Sequence, residues 1–129
     1  MPRISQLNHV ALHVSDLDAA VRFYTDVLGL GPLPRPAFDF PGAWFRIAPA
    51  AAGSPAQELH LIGRKPENNH PPRERHFAML IEDDALQVAD ELRGKGVNFT
   101  GPQRRPDGAL QIFLRDPDGH LIELCTRVP

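Results

Sequence analysis

The chain has 129 residues, 42% hydrophobic and 23% charged, with a formal charge of −2, the balance of one ordinary globular domain able to bury a core. The slight negative charge argues against nucleic acid, which favours a basic stripe, and no apolar run approaches the ~18 residues that read as a membrane span. Met1-Pro2-Arg3-Ile4-Ser5-Gln6 lacks the apolar stretch of a signal peptide, and the lone Cys125 permits no internal disulfide, so the expected compartment is the cytoplasm.

Leu7–Val14 alternates, with Val10, Leu12 and Val14 on one face of a strand and His9, Ala11 and His13 on the other. Ser15-Asp16-Leu17-Asp18 reads as a capping box with Ser15 as N-cap. Leu17, Ala20, Val21, Tyr24 and Leu28 then keep helical spacing up to Gly29, a left-handed stop. Leu33–Pro41 is proline-rich and edge-like. Ala43–Ile47 and Gln57–Ile62 read as strands joined by the small-residue loop Ala48–Ala56. Arg64–Arg75 is polar, carries three prolines and reads as a linker. Beyond it come a strand at His76–Glu82, a helix from about Ala85 with Val88, Ala89 and Leu92 on its stripe, and strands at Val97–Thr100, Ala109–Arg115 and His120–Thr126. Asp116-Pro117-Asp118-Gly119 has the residues of a tight turn.

Each half is thus β-α-β-β-β, and the halves say nearly the same thing. Asn8-His9-Val10-Ala11-Leu12-His13-Val14-Ser15-Asp16 answers Arg75-His76-Phe77-Ala78-Met79-Leu80-Ile81-Glu82-Asp83, and a Glu-Leu pair recurs at Glu58-Leu59 and Glu123-Leu124. A repeat of this kind sets the architecture before any other signal. The expected domain spans 1–129, with one module over 4–63 and the other over 75–127. Strand parity puts His9, Glu58, His76 and Glu123 on the faces turned away from the helices.

A glutamate in mid-strand between Ile122 and Leu124 is costly to bury without a partner. Two imidazoles and two carboxylates suit a divalent ion such as Zn, Ni, Fe, Mn or Co, with coordination positions left open. A lone strand histidine is more often a hydrogen-bonded residue than a ligand; the recurrence of His76 with Glu123 favours metal for this set. His60 shares a face with Glu58 two residues away and stands as the alternative fourth ligand. Trp44 and Phe113 read as walls of a substrate pocket and His13 as a residue at its mouth, although an aromatic run such as Phe38, Phe40, Trp44 and Phe45 also suits a core. His70 and His120 read as surface residues and Cys125 as a packed thiol. Arg64-Lys65 and Arg104-Arg105 read as solvated pairs unless the substrate is anionic.

Leu7-Asn8-His9-Val10, Phe23-Tyr24-Thr25-Asp26-Val27-Leu28-Gly29-Leu30, Arg75-His76-Phe77-Ala78 and Asp116-Pro117-Asp118-Gly119-His120-Leu121-Ile122-Glu123-Leu124 resemble the vicinal oxygen chelate superfamily, the glyoxalase, bleomycin-resistance and extradiol-dioxygenase group, along essentially the whole chain. The resemblance implies an α+β fold of two βαβββ modules forming a curled mixed sheet around a metal cleft, with ligands His9, Glu58, His76 and Glu123. It is best with bacterial glyoxalase I, which implies a lyase or isomerase working through an enediolate-type intermediate on a small substrate with vicinal oxygens, Glu58 or Glu123 acting as base. It also implies a homodimer. The alternatives are an Fe(II) ring-cleaving dioxygenase and a non-catalytic protein that binds an antibiotic or metabolite. Ala11 replaces the hydroxyl residue of fosfomycin-resistance enzymes, and the resemblance does not assign the glutathione-contacting residues of glyoxalase I to Arg64, Lys65 or Arg104.

Overall fold

Two four-stranded mixed sheets, each with one α-helix, carry the chain, and both follow the same strand order. The computed structural model describes residues 1, 3, 6–48, 57–64 and 75–129, divided between two compact units, Met1–Asn69 and His70–Pro129. Residues 4–63 and 75–127 fall in different units. The loop and linker expected between strands lie, over 49–56 and 65–74, outside the described residues.

The first unit runs β1 (His9–His13), α1 (Leu17–Arg22), a π-helical turn (Phe23–Val27), β2 (Gly31–Leu33), β3 (Gly42–Ala48) and β4 (Gln57–Ile62). The second runs β5 (His76–Leu80), α2 (Ala85–Gly94), β6 (Phe99–Arg104), β7 (Leu110–Arg115) and β8 (Leu121–Cys125). The orders are β1-β4-β3-β2 and β5-β8-β7-β6, with β1 parallel to β4, β5 parallel to β8 and the other neighbours antiparallel. Among the described residues no helix is long and apolar enough to cross a membrane.

The helices cover the faces that the alternation assigns to them. In the first unit Val14, Ala20, Tyr24, Phe45, Leu59 and Leu61 are buried, and α1 packs on β3 and β4. In the second, Ala85, Ala89 and Leu92 of α2 are buried with Ile112, Leu114, Ile122 and Leu124 of the sheet. Asp116 closes the β7–β8 turn by accepting from the backbone N–H groups of Asp118 (2.9 Å) and His120 (2.8 Å), and Gly119 takes the positive φ of +88° that the turn requires. His120 is therefore half-buried at this turn rather than a surface residue.

Three local expectations change. Asp16, not Ser15, caps α1: its backbone is extended and its carboxylate accepts from Ala19 N at 3.0 Å, a charge placed where the helix dipole favours it. The helix does not stay α to Leu28. Thr25 Oγ1 donates to the Val21 carbonyl at 2.8 Å, and Leu28 N reaches back five residues to the Phe23 carbonyl. The crowded, aromatic and β-branched run Phe23-Tyr24-Thr25 favours this wider turn, and a side-chain bond to a helix carbonyl bends the element. Finally, β6 begins at Phe99 and continues through Pro102 to Arg104, two residues later in its start and four later in its end than the spacing predicts.

Candidate functional site

The two ladders pair equivalent residues. In the first unit His9 lies across from Glu58 and Ala11 across from His60. In the second His76 lies across from Leu121 and Ala78 across from Glu123. The antiparallel neighbours agree, since Trp44 faces His60 and Phe113 faces Glu123. The bonds closing the parallel pairs agree as well: Val14 N donates to Ile62 O and Ile81 N to Cys125 O, each at 2.9 Å. With His9 matched to His76, the counterpart of Glu123 is His60, and the counterpart of Glu58 is Leu121. The Glu-Leu match that links Glu58 to Glu123 in sequence is displaced from the backbone match by two residues. Two is the strand period, so both alignments keep the same face.

Glu123 is buried, with its side chain 5% exposed. Its Oε1 accepts from Gln111 Nε2 at 3.0 Å and lies 3.6 Å from His76 Nε2, while Arg105 Nη1 stands 3.9 Å from Oε2. Parity on β7 explains the first contact, because Gln111 and Phe113 share the face of Glu123. The Phe113 ring meets His76 edge-on at 5.8 Å. Arg105 is not a freely solvated cation. Asp107 hydrogen-bonds its guanidinium and raises its pKa, and Arg105 in turn holds the Asp107 carboxyl below its ordinary range. Burial first, and then the charge and hydrogen bond of Glu123, push the Cys125 thiol up, which suits a packed thiol and not a nucleophile.

In the first unit three rings form a ladder. Trp44 stacks on His60 at 4.0 Å with an interplanar angle of 3°, and His60 stacks on His9 at 4.2 Å and 18°. His60 Nε2 lies 2.8 Å from Glu58 Oε1 and His9 Nδ1 2.8 Å from Asn8 Oδ1. Both partners are acceptor oxygens, so these two nitrogens are the donors, and in the neutral imidazole His60 Nδ1 and His9 Nε2 are the nitrogens that carry the lone pairs. His13 Nδ1 is tied to the Arg64 carbonyl at 2.9 Å. A cavity of about 180 Å³ opens beside the ladder, walled by His9, Arg35, Phe38, Phe40, Trp44 and His60. In the second unit a wider cavity of about 520 Å³ includes Phe113, Phe99, Thr100 and Arg115 in its wall. His13 lines neither.

Among the described residues no three His, Cys, Asp or Glu side chains are grouped closely enough to hold a metal ion; the expected donors stand as a pair or trio within each unit. Their chemistry fits a divalent cation. Glu123 is a buried carboxylate with the Gln111 amide at 3.0 Å, His76 Nε2 at 3.6 Å and the Arg105 cation at 3.9 Å, and a carboxylate beside an imidazole is a donor pair suited to such an ion. His9 also presents a lone-pair nitrogen oriented by a neighbouring side chain, the arrangement that supports ligation. Gln111 and Arg35 went unremarked as functional in the sequence: Gln111 is signalled only by its strand parity, and Arg35 lies in an irregular stretch with no period to place it.

Residues 6–124 match the family model of the Glyoxalase/Bleomycin resistance protein/Dioxygenase superfamily. "Glyoxylase I 4" of Arabidopsis thaliana is 30% identical over 127 residues, which are 95% of this chain and 71% of that protein. The "Probable lactoylglutathione lyase" of Synechocystis sp. is 30% identical over 125 residues, 92% of each chain. Among solved structures, that of TnmS3, an antibiotic binding protein from Streptomyces sp. CB03234, superposes with a TM-score of 0.74 at 27% identity over 98% of both chains.

Proposed function

This chain belongs to the Glyoxalase/Bleomycin resistance protein/Dioxygenase superfamily, and on that premise we propose that it is a metal-dependent, glyoxalase-like lyase or isomerase acting on a small substrate with adjacent oxygens. The observation that carries the reading is the buried Glu123 carboxylate with His76 Nε2 at 3.6 Å. His9, His60, His76 and Glu123 would hold the ion, with Glu58 holding the His60 ring from behind. When bound, a divalent ion would supply Lewis acidity to the substrate oxygens.

The chain's own groups do the rest. Gln111 donates to Oε1 of Glu123 and orients the carboxylate, whose Oε2, 3.9 Å from Arg105 Nη1, would take up and return a proton between neighbouring carbons. Glu58 Oε1 accepts the His60 Nε2 proton and fixes that ring's tautomer. Trp44 walls the cavity of the first unit and Phe113 that of the second, apolar surfaces of the kind that line substrate pockets. The relatives named for glyoxalase or lactoylglutathione lyase support this chemistry. The single cysteine favours the cytoplasm, and we place the protein there as a homodimer.

Metal content of the full chain beside Glu123→Ala is the test. About one divalent ion per chain, lost in the variant, together with turnover of a hemithioacetal, supports the reading. Oxygen uptake with a catechol in the presence of Fe(II) would move it to a ring-cleaving dioxygenase. The aromatic cavity of the first unit and the likeness to TnmS3 favour a second reading, a protein that binds its small molecule without converting it. No metal after reconstitution with Zn, Ni, Mn and Fe(II), with the ligand retained unchanged, would establish that one.

A further inference from the structure

The cavity of the first unit holds a cation that no carboxylate among the described residues meets. Arg35 is half-buried and lines the cavity. Its Nη2 donates to the Phe40 carbonyl at 2.8 Å, and its guanidinium carbon lies 4.8 Å from the Phe38 ring centroid and 4.9 Å from that of Phe40. Among the described residues no Asp or Glu forms an ion pair with it. Gly42 leaves it room, since a Cβ there would come within 2.9 Å of Arg35 Nε. The guanidinium is therefore held in place by a carbonyl and two rings while most of its five N–H groups are not used in that fixation. Arg64 adds a second positive group, 5.1 Å from the Phe40 centroid.

We infer that this cavity is a subsite for an aromatic carboxylate, its ring packed among Phe38, Trp44 and His60 and its carboxylate clamped by Arg35. A fixed, planar fork of donors recognises a carboxylate through two parallel hydrogen bonds. The flat walls select a ring, which fills them better than an alkyl chain and gains from offset or edge-on packing. The volume, about 180 Å³, is adequate for one six-membered ring, as an apolar cavity of roughly 150 Å³ takes up benzene. The inference deepens the function proposed above by naming the non-reacting end of the substrate, and it rests on that reading only in treating the cavity as part of the substrate site.

Trp44, the chain's one tryptophan, stands in the cavity wall, so its fluorescence reports occupancy without a label. Titration of the full chain with benzoate, benzamide and acetate separates ring from charge. Benzoate is expected to quench or shift the emission saturably, to bind about 10- to 100-fold more tightly than benzamide, the worth of hydrogen bonds to a charged group, and to bind more tightly than acetate, which lacks the ring. Arg35→Met is expected to abolish that preference and leave benzamide binding as it was. The inference is overturned if benzamide matches benzoate, if acetate does, if none of the three binds, or if the preference survives in Arg35→Met. Should Arg35→Met fail to fold, the three-ligand comparison on the unaltered chain still decides. Metal content measured on the same preparation keeps the two readings apart. A preference for benzoate in a chain that takes up no metal leaves the subsite standing and removes the enzyme, and metal with turnover but no preference does the reverse.

Discussion

His60 and Glu123 are backbone equivalents, each lying across the parallel ladder from the alanine two residues beyond the first histidine of its unit, Ala11 in one case and Ala78 in the other. Glu58 lies one strand period earlier, hydrogen-bonded to His60 at 2.8 Å. His60→Ala is therefore expected to abolish metal binding, whereas Glu58→Gln, which loses an orienting contact, should weaken it about 10- to 100-fold. Calorimetric titration of both variants with Zn or Ni checks the order; a larger loss in the Glu58 variant would make Glu58 the ligand.

Gln111 supplies the closest donor to a carboxylate that is almost wholly buried. Gln111→Leu keeps the volume and removes the donor, leaving Glu123 less well satisfied. The expected loss is about 1–3 kcal/mol of stability, read from urea unfolding of the full chain. A variant as stable as the parent would show that the amide does not compensate the charge.

Gly42 is confined by the Leu61 carbonyl oxygen and by Arg35 Nε and Cζ. Gly42→Ala must displace one of them. Overpacking of this kind costs about 1–3 kcal/mol, and the shift of Arg35 should also alter Trp44 emission. Thermal unfolding followed by both circular dichroism and tryptophan fluorescence would register the two effects separately.

Arg127 and Glu82 form an exposed pair, with contacts of 2.6 and 3.2 Å. The Arg127 hydrogen bond holds the Glu82 carboxyl below its ordinary value. A depressed folded pKa makes the contribution complete above the usual glutamate value of about 4.3 and removes it as pH falls through the lower folded value. The Tm gap between the parent and Arg127→Ala is thus expected to be small at neutral pH, to shrink further on acidification toward about pH 3 and to close in high salt. A gap that grows on acidification would contradict this assignment.

Alternation and turn chemistry were enough to find seven of the eight strands among the described residues, both helices and the duplication; the edge strand β2 is Gly31–Leu33, ahead of the proline-rich Leu33–Pro41 read as edge-like. His9-Val10-Ala11-Leu12 and Ile122-Glu123-Leu124 carry their faces in their residues, because a pleated strand turns successive side chains to opposite sides and burial sorts them. The π-helical turn at Phe23–Val27 was not legible, since a short helix of either kind keeps the same apolar residues on one side and only the Thr25 hydroxyl bond distinguishes them.

The sequence by itself determined that this chain is a repeated βαβββ unit bearing a histidine on the first strand of each half and a carboxylate on the last. It could not decide between Glu58 and His60, because residues two apart on a strand share a face and a pattern of period two cannot tell them apart. Nor could it join Arg35 to Phe38, Phe40 and Trp44, which have no common period. The tertiary structure supplies what the pattern lacks: hydrogen-bonded register makes His60, not Glu58, the backbone counterpart of Glu123, and the close approach of backbone at Gly42 leaves the space in which the guanidinium lies.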